Sequence, residues 1–126
     1  MARRCPTAKV VGTAMLEDYQ LTFRGVATIE KQQGAMTPVA VWEIDRENEK
    51  ALDIYEGYPH LYRKEEVEII CNGKQLKAMV YIMSEGSARL PNISYFETIR
   101  EGYKDIGLDE SFLIGAIEDT EKRTMM

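Results

Sequence analysis

The sequence has few of the residues from which metal sites, disulfides and catalytic triads are built. Its 126 residues include two cysteines and one histidine. Cys5 and Cys71 lack a zinc-binding spacing, and a pair of isolated cysteines is typical of a protein of the reducing cytoplasm. His60 lies in a Tyr-Pro-His-Leu-Tyr segment without a nucleophile motif beside it, which favours a surface position over a role as general base. A glycine-rich phosphate loop is also missing. We therefore expect no metal and no cofactor.

Long apolar runs and clusters of basic residues are absent as well. No apolar run reaches the roughly 18 residues that span a membrane, and Met1 is not followed by the apolar region of a signal peptide. The net charge is −5, and Arg3-Arg4 and Arg63-Lys64 are too short to form a phosphate-binding patch. We expect neither a membrane nor a nucleic acid as partner. The length predicts one domain, residues 1–126, large enough to bury a core without disulfides.

Alternating residues and turn signals predict about six strands and three complete helices. The predicted strands are Lys9–Met15, Tyr19–Phe23, Val26–Glu30, Pro38–Ile44, Tyr62–Ile70 and Gln75–Met83, with a turn at Gln32-Gln33-Gly34 and a hairpin at Asn72-Gly73. The predicted helices are Arg46–Glu56 with Asp45 as N-cap, a second from Asn92 or Ser94 to Gly107, and a third capped by Asp109. Residues 1–5 have the pattern of a helix end, and the polar residues 118–126 are expected to fray. The pattern indicates an α+β fold with a mainly antiparallel sheet or a small barrel.

Glu56 is the most informative residue, because the predicted helix ends there. Gly57 and Pro59 follow it, and Tyr55, Tyr58 and Tyr62 lie close in sequence. The negative end of a helix dipole disfavours a carboxylate, and aromatic neighbours remove water from it. Both effects raise a carboxyl pKa, as proton transfer near neutral pH requires. The alternative is a solvated residue at a helix end.

Several segments together resemble the γ-glutamylcyclotransferase-like (AIG2-like) family. They are Arg4-Cys5-Pro6-x-Ala8; Val11-Gly12-x-Ala14-x-Leu16-x-Asp18-Tyr19-x-Leu21-x-Phe23-x-Gly25; Ala27-Thr28-Ile29; Val39-x-Val41-Trp42-Glu43-Ile44; Leu52-Asp53-x-Tyr55-Glu56-Gly57; Ala78-x-Val80-Tyr81-x-Met83; Pro91-x-x-x-Tyr95; and Ile99-x-x-Gly102. Each segment alone is a weak signal, and their order and spacing make the resemblance specific.

The resemblance implies a small barrel-like fold with a pocket at one end. It also implies cleavage of a small γ-glutamyl amine or peptide, with release of 5-oxoproline and without a cofactor. Glu56 matches the single catalytic acid/base of the family. Tyr81 and Tyr95 match its pocket tyrosines, which could bind the carboxylate or carbonyl of the substrate; the alternatives are a core strand aromatic and a helix-packing residue. Gly57 belongs to the same substrate-binding set, and also suits a left-handed helix end.

One family element is missing from this sequence. The family usually opens with a strand ending in Tyr-Gly-Ser-Asn, whose backbone N–H groups bind the glutamyl group, and that motif is absent here. Three explanations remain open: the chain is a fragment or begins at a late start codon, dimerisation across the exposed strand edge replaces the strand, or catalysis has been lost. Two hypotheses follow, a γ-glutamyl cyclotransferase and a catalytically silent binding domain that self-associates.

Arg63 could bind a substrate carboxylate, but a solvated strand-edge charge is favoured.

Overall fold

The computed structural model describes residues 7–84 and 86–125. Its elements in chain order are β1 (Lys9–Phe23), β2 (Ala27–Glu43), α1 (Arg46–Glu56), β3 (Tyr62–Cys71), β4 (Lys74–Met83), α2 (Ile93–Ile106) and α3 (Ser111–Thr124). These elements make an α+β fold, as the sequence predicts. No helix in the described part of the chain is long and apolar enough to cross a membrane.

The chain divides into two compact units. Unit 1 contains residues 7–14 and 40–84, and so includes α1, β3 and β4. Unit 2 contains residues 15–39 and 86–125, and so includes α2 and α3. The long strands β1 and β2 contribute residues to both.

Unit 1 is organised by the hairpin of β3 and β4. The two strands pair antiparallel from Tyr62 opposite Met83 to Cys71 opposite Lys74. Asn72 and Gly73 both have positive φ, which matches the type I′ turn expected of Asn-Gly. On β3 the side chains of Val67, Ile69 and Cys71 alternate with exposed residues and are buried. This period of two identifies the core face of the hairpin.

Helix α1 has the termini that the sequence predicts. The Asp45 side chain accepts a hydrogen bond from the Asn48 N–H at 2.7 Å, and the Asn48 side chain accepts one from the Asp45 N–H at 3.1 Å. This reciprocal capping box satisfies two backbone donors that the first turn of a helix leaves unpaired. Leu52 is buried, and Gly57 ends the helix.

Unit 2 has a core of Leu21 and Phe23 from β1 with Leu113 and Ala116 from α3. Phe23 is completely buried, and its ring meets that of Phe96 with 6.3 Å between the ring centroids. Helix α2 begins after Asn92, whose side chain accepts from the Tyr95 N–H, and it ends at Gly107 as predicted.

Three sequence-based predictions about these elements are corrected by the structure. Strands predicted separately merge into the longer β1 and β2, and Gln32-Gln33-Gly34 lies inside β2 instead of forming a turn between strands. The third concerns residues 118–126, which were expected to fray. Instead α3 continues to Thr124. Thr120 is fully buried, and Arg123 binds Glu30 at 2.6 Å.

Two further predictions have a mixed outcome. Asp109 does accept a hydrogen bond from the Ser111 N–H, although Glu110 occupies the N-cap position of α3. The described strands form two two-stranded sheets, β1 with β2 and β3 with β4, and no closed barrel, so the barrel is not confirmed. The helix end predicted at residues 1–5 lies outside the described residues.

Candidate active site

Glu56 is the last residue of α1 and is partly buried. The chain turns directly after it: the Gly57 N–H donates to the Ile54 carbonyl at 3.2 Å, and the Tyr58 N–H donates to the Asp53 carbonyl at 2.9 Å. This is the Schellman arrangement that ends helices at a left-handed residue. The predicted position of Glu56 at the negative end of a helix is therefore confirmed, and the last turn of α1 has no basic residue.

Gly57 is required at this turn for two structural reasons. Its φ is 68°, a left-handed conformation that costs other residues energy. A Cβ at this position would also come within 2.9 Å of Leu61 Cδ1. Leu61 is held close because its N–H donates to the Gly57 carbonyl at 2.8 Å.

Glu56 belongs to an acidic face of α1. Glu49, Asp53 and Glu56 follow one another at spacings of four and three residues, which places them on one side of a helix. Like charges at this spacing destabilise a helix. Lys64 of β3 offsets the repulsion, because its Nζ lies 2.6 Å from Glu49 Oε2 and 2.7 Å from Asp53 Oδ1.

Tyr81 joins this ionic cluster from β4. It lies directly opposite Lys64 in the strand register, so the two side chains share a face of the hairpin. Its hydroxyl donates to Asp53 Oδ1 at 2.5 Å. The Lys64 ammonium also lies 4.4 Å from the ring centroid of Tyr58, within the range of a cation–π contact.

The electrostatics of the cluster fix the protonation states of Asp53, Lys64 and Tyr81 near neutral pH. Burial by itself would raise the pKa of Asp53, but hydrogen bonds from Lys64 and Tyr81 outweigh it and lower that pKa below its ordinary value. Burial alone would likewise lower the pKa of Lys64, but Asp53 and Glu49 raise it. The pKa of Tyr81 is raised by burial, by its hydrogen bond to Asp53, and by the negative charges of Asp53, Glu49 and Glu56. Asp53 is thus a carboxylate, Lys64 an ammonium and Tyr81 a neutral phenol.

The structure brings three of the four predicted site residues together. Glu56 and Gly57 are adjacent at the end of α1, and the Tyr81 hydroxyl donates to Asp53, three residues before Glu56 on the same helix. Tyr95 belongs to unit 2, in the first turn of α2. Its hydroxyl accepts a hydrogen bond from the Ala27 N–H at 2.9 Å, and its ring packs against the core of that unit. Tyr95 therefore has a structural role, and its part in substrate binding stays a prediction.

The sequence interpretation assigned no site role to Asp53, Glu49 or Lys64. The spacing of Glu49 and Asp53 on α1 was a usable signal, because like charges four residues apart destabilise a helix and a nearby cation relieves the repulsion. The basic residue singled out instead was Arg63, whose side chain is half exposed, lies near Glu65 and donates to the Met83 carbonyl. His60 is exposed. Within the described residues, no group of three or more His, Cys, Asp or Glu side chains could hold a metal ion.

Described residues of unit 2 line two cavities. One of about 610 Å³ is bordered by the Gln32–Met36 part of β2 and the start of α3. The other, of about 350 Å³, is lined by apolar residues of α2 and α3, including Ile93, Phe96 and Ile117. Neither is lined by any of the four predicted site residues.

Known proteins resemble this chain over most of its length. A curated γ-glutamylcyclotransferase of Mus musculus is 28% identical over 94% of this chain and 71% of its own, and a human one is 29% identical over 83% and 63%. A solved γ-glutamyl cyclotransferase structure superimposes with a TM-score of 0.78 at 26% identity, covering 98% of this chain and 77% of that one. YkqA from Bacillus subtilis shares the fold, with a TM-score of 0.77 at 20% identity over 90% of this chain and 45% of that one.

The named relatives support an enzyme of the γ-glutamyl cyclotransferase type. The sequence profile of the family described as "Gamma-glutamyl cyclotransferase, AIG2-like" matches residues 1–101. Since this match covers well over half of the sequence, the chain belongs to the γ-glutamyl cyclotransferase, AIG2-like family.

Proposed function

We propose that this protein cleaves a γ-glutamyl amide by intramolecular cyclisation and releases 5-oxoproline, with Glu56 as the catalytic acid/base. The observation that carries the proposal is the position of Glu56. It is an acidic side chain at the negative end of α1, where helix energetics disfavour it, and it lies three residues after Asp53, the hydrogen-bond partner of Tyr81. Residues kept in locally unfavourable positions are often kept for function.

In the proposed reaction the α-nitrogen of the glutamyl group attacks the γ-carbonyl carbon of the same group. A new C–N bond closes the five-membered ring, and the bond from that carbon to the leaving nitrogen breaks. Glu56 takes a proton from the α-ammonium and passes it to the leaving nitrogen, which departs as a free amine. A second proton leaves the attacking nitrogen as the ring closes and protonates the released amine in water. One carboxylate suffices for the transfer, because it returns to its starting state.

The remaining requirement is to hold the substrate folded. An intramolecular attack in the correct geometry can remove roughly 7–11 kcal/mol of the barrier in ideal cases. We assign substrate binding to Gly57, Tyr81 and Tyr95. The proposed reaction needs no cofactor. We place it in the cytoplasm, where the buried Cys71 stays a thiol.

Replacing Glu56 by glutamine tests the proposal, because Glu56→Gln keeps the shape of the side chain and removes proton transfer. The matched control is Glu47→Gln, the same change on the same helix at a side chain that is 84% exposed. The assay is 5-oxoproline release from a panel of γ-glutamyl amides. We expect wild type and Glu47→Gln to be active and Glu56→Gln to lose at least a hundredfold in kcat, the lower range for a general acid/base. Thermal melting should show Glu56→Gln folded.

Equal rates for wild type and Glu56→Gln would refute the assignment of Glu56. Silence of the wild type on the whole panel would favour the catalytically silent binding domain. That alternative includes self-association as a homodimer, which sedimentation velocity would detect.

A further inference from the structure

The hydrogen bond between Tyr81 and Asp53 has a defined direction. Asp53 is ionised, so its oxygens can only accept, and the Tyr81 hydroxyl must supply the proton across the 2.5 Å contact. A phenol has one proton. Once that proton is committed to Asp53, the Tyr81 oxygen can take part in a further hydrogen bond only as an acceptor.

The charges around Tyr81 favour the same kind of ligand. Lys64 is occupied by Glu49 and Asp53, at 2.6 and 2.7 Å, and its side chain is only 18% exposed. One ammonium is shared by the two carboxylates of Glu49 and Asp53, so these three groups together carry a net negative charge. A carboxylate or a carbonyl arriving at the Tyr81 oxygen would find no donor there and would be repelled.

We propose that Tyr81 accepts a hydrogen bond from the α-ammonium of the γ-glutamyl substrate, and that Asp53 and Lys64 are positioning residues that hold its oxygen as an acceptor. The inference rests on the proposed function and deepens it. It replaces the expectation that Tyr81 binds the carboxylate or carbonyl of the substrate. Tyr81 binds Asp53, which precedes Glu56 by three residues on α1, so an ammonium held at Tyr81 lies beside the acidic face that contains Glu56, the proposed base.

The test compares two ligands that differ only in the α-ammonium. L-glutamine carries it, and 4-carbamoylbutanoate has hydrogen in its place. Equilibrium binding of each is measured by NMR titration with the wild type and with Tyr81→Phe. The wild type is expected to prefer L-glutamine, and Tyr81→Phe to lose roughly tenfold to a hundredfold of that preference, as for a hydrogen bond to a charged group. Tyr103→Phe, the same change on α2, is the control and should keep the preference.

Asp53→Asn provides a second test that does not depend on removing the hydroxyl. An asparagine amide can donate to the Tyr81 oxygen. The Tyr81 hydroxyl proton can then point toward the ligand, and the oxygen no longer faces the ligand as an acceptor. We expect the preference for L-glutamine to fall while binding of 4-carbamoylbutanoate is unchanged. Asp105→Asn, an exposed change on α2, is the control. If Asp53 had only a structural role, Asp53→Asn would weaken the binding of both ligands alike.

The proposal is overturned if the wild type does not prefer L-glutamine. It is also overturned if Tyr81→Phe weakens the binding of both ligands equally, or weakens the binding of neither. Failure of the proposed function has a different signature, because binding needs no turnover. In that case the wild type would still prefer L-glutamine through Tyr81, but no 5-oxoproline would form.

Discussion

Two glycines that end helices in the same conformation allow the turn after Glu56 to be tested against a matched control. Gly57 ends α1 with φ 68°, and Gly107 ends α2 with φ 83°. The perturbation is the same single methyl group at each, Gly57→Ala and Gly107→Ala. A Cβ at Gly107 meets nothing within 4 Å, whereas one at Gly57 meets Leu61 Cδ1, Cγ and Cβ at 2.9, 3.1 and 3.2 Å.

The expected costs follow from this geometry. A left-handed conformation costs a non-glycine residue about 1–2 kcal/mol, and the smaller entropy of the unfolded alanine chain returns about 0.4–1 kcal/mol. Gly107→Ala should therefore destabilise by about 1 kcal/mol. At Gly57 a new rotamer can move Leu61 Cδ1 and Cγ for about 0.5–1.5 kcal/mol. Leu61 Cβ cannot move without its backbone, so Gly57→Ala should cost about 2–3 kcal/mol in total.

Urea unfolding measures the two free energies, and 5-oxoproline release measures the effect on the site. Since the displaced turn carries the backbone directly after Glu56, we expect Gly57→Ala to lower kcat and Gly107→Ala to leave it unchanged. Equal destabilisation by the two substitutions would show that crowding at Leu61 has no energetic effect. Full activity of Gly57→Ala would refute the link between the turn and Glu56.

Two further predictions concern the ionic cluster and Tyr95. Folding lowers the pKa of Asp53, so the ionised side chain stabilises the fold above its ordinary pKa of 3.8, and this stabilisation is lost as the pH falls through the lowered pKa. The free energies of unfolding of wild type and Asp53→Asn, measured in urea, should therefore differ at pH 7, and the difference should shrink at pH 3. Tyr95→Phe removes the acceptor of the Ala27 N–H and should destabilise by about 1–3 kcal/mol. If Tyr95 also binds substrate, the same variant will raise KM; an unchanged KM would assign it to packing alone.

Local signals in the sequence predicted the ends of elements well. Asp45 caps the start of α1, Gly57 ends it, and Asn72-Gly73 forms the hairpin turn. Each of these residues fixes the nearby chain through its own side chain or its own backbone freedom. The position of Glu56 followed from the same signals. No tertiary information was needed for any of them.

Predictions failed where distant residues decide the outcome. Gly34 has a φ of 85° and looks like a turn residue, but its N–H donates to the Asp18 side chain and the strand continues through it. The polar end of α3 is held by Arg123, which reaches Glu30 on β2. A window of neighbouring residues contains neither partner, so local composition indicated a turn and a frayed end.

Arg63 and Lys64 show why the site itself was only partly predictable. The two residues are adjacent and carry the same charge, but neighbouring side chains on a strand point to opposite faces. The β3–β4 register pairs Lys64 with Tyr81, and the acidic face of α1 supplies Glu49 and Asp53 to the same cluster. Glu56, the proposed acid/base, could be found from one helix end, whereas its surroundings depend on how a strand register and a helix face meet. Lys64 and Tyr81 therefore couple the hairpin to α1 together, and the ion pair with Lys64 keeps Asp53 a carboxylate that accepts from Tyr81.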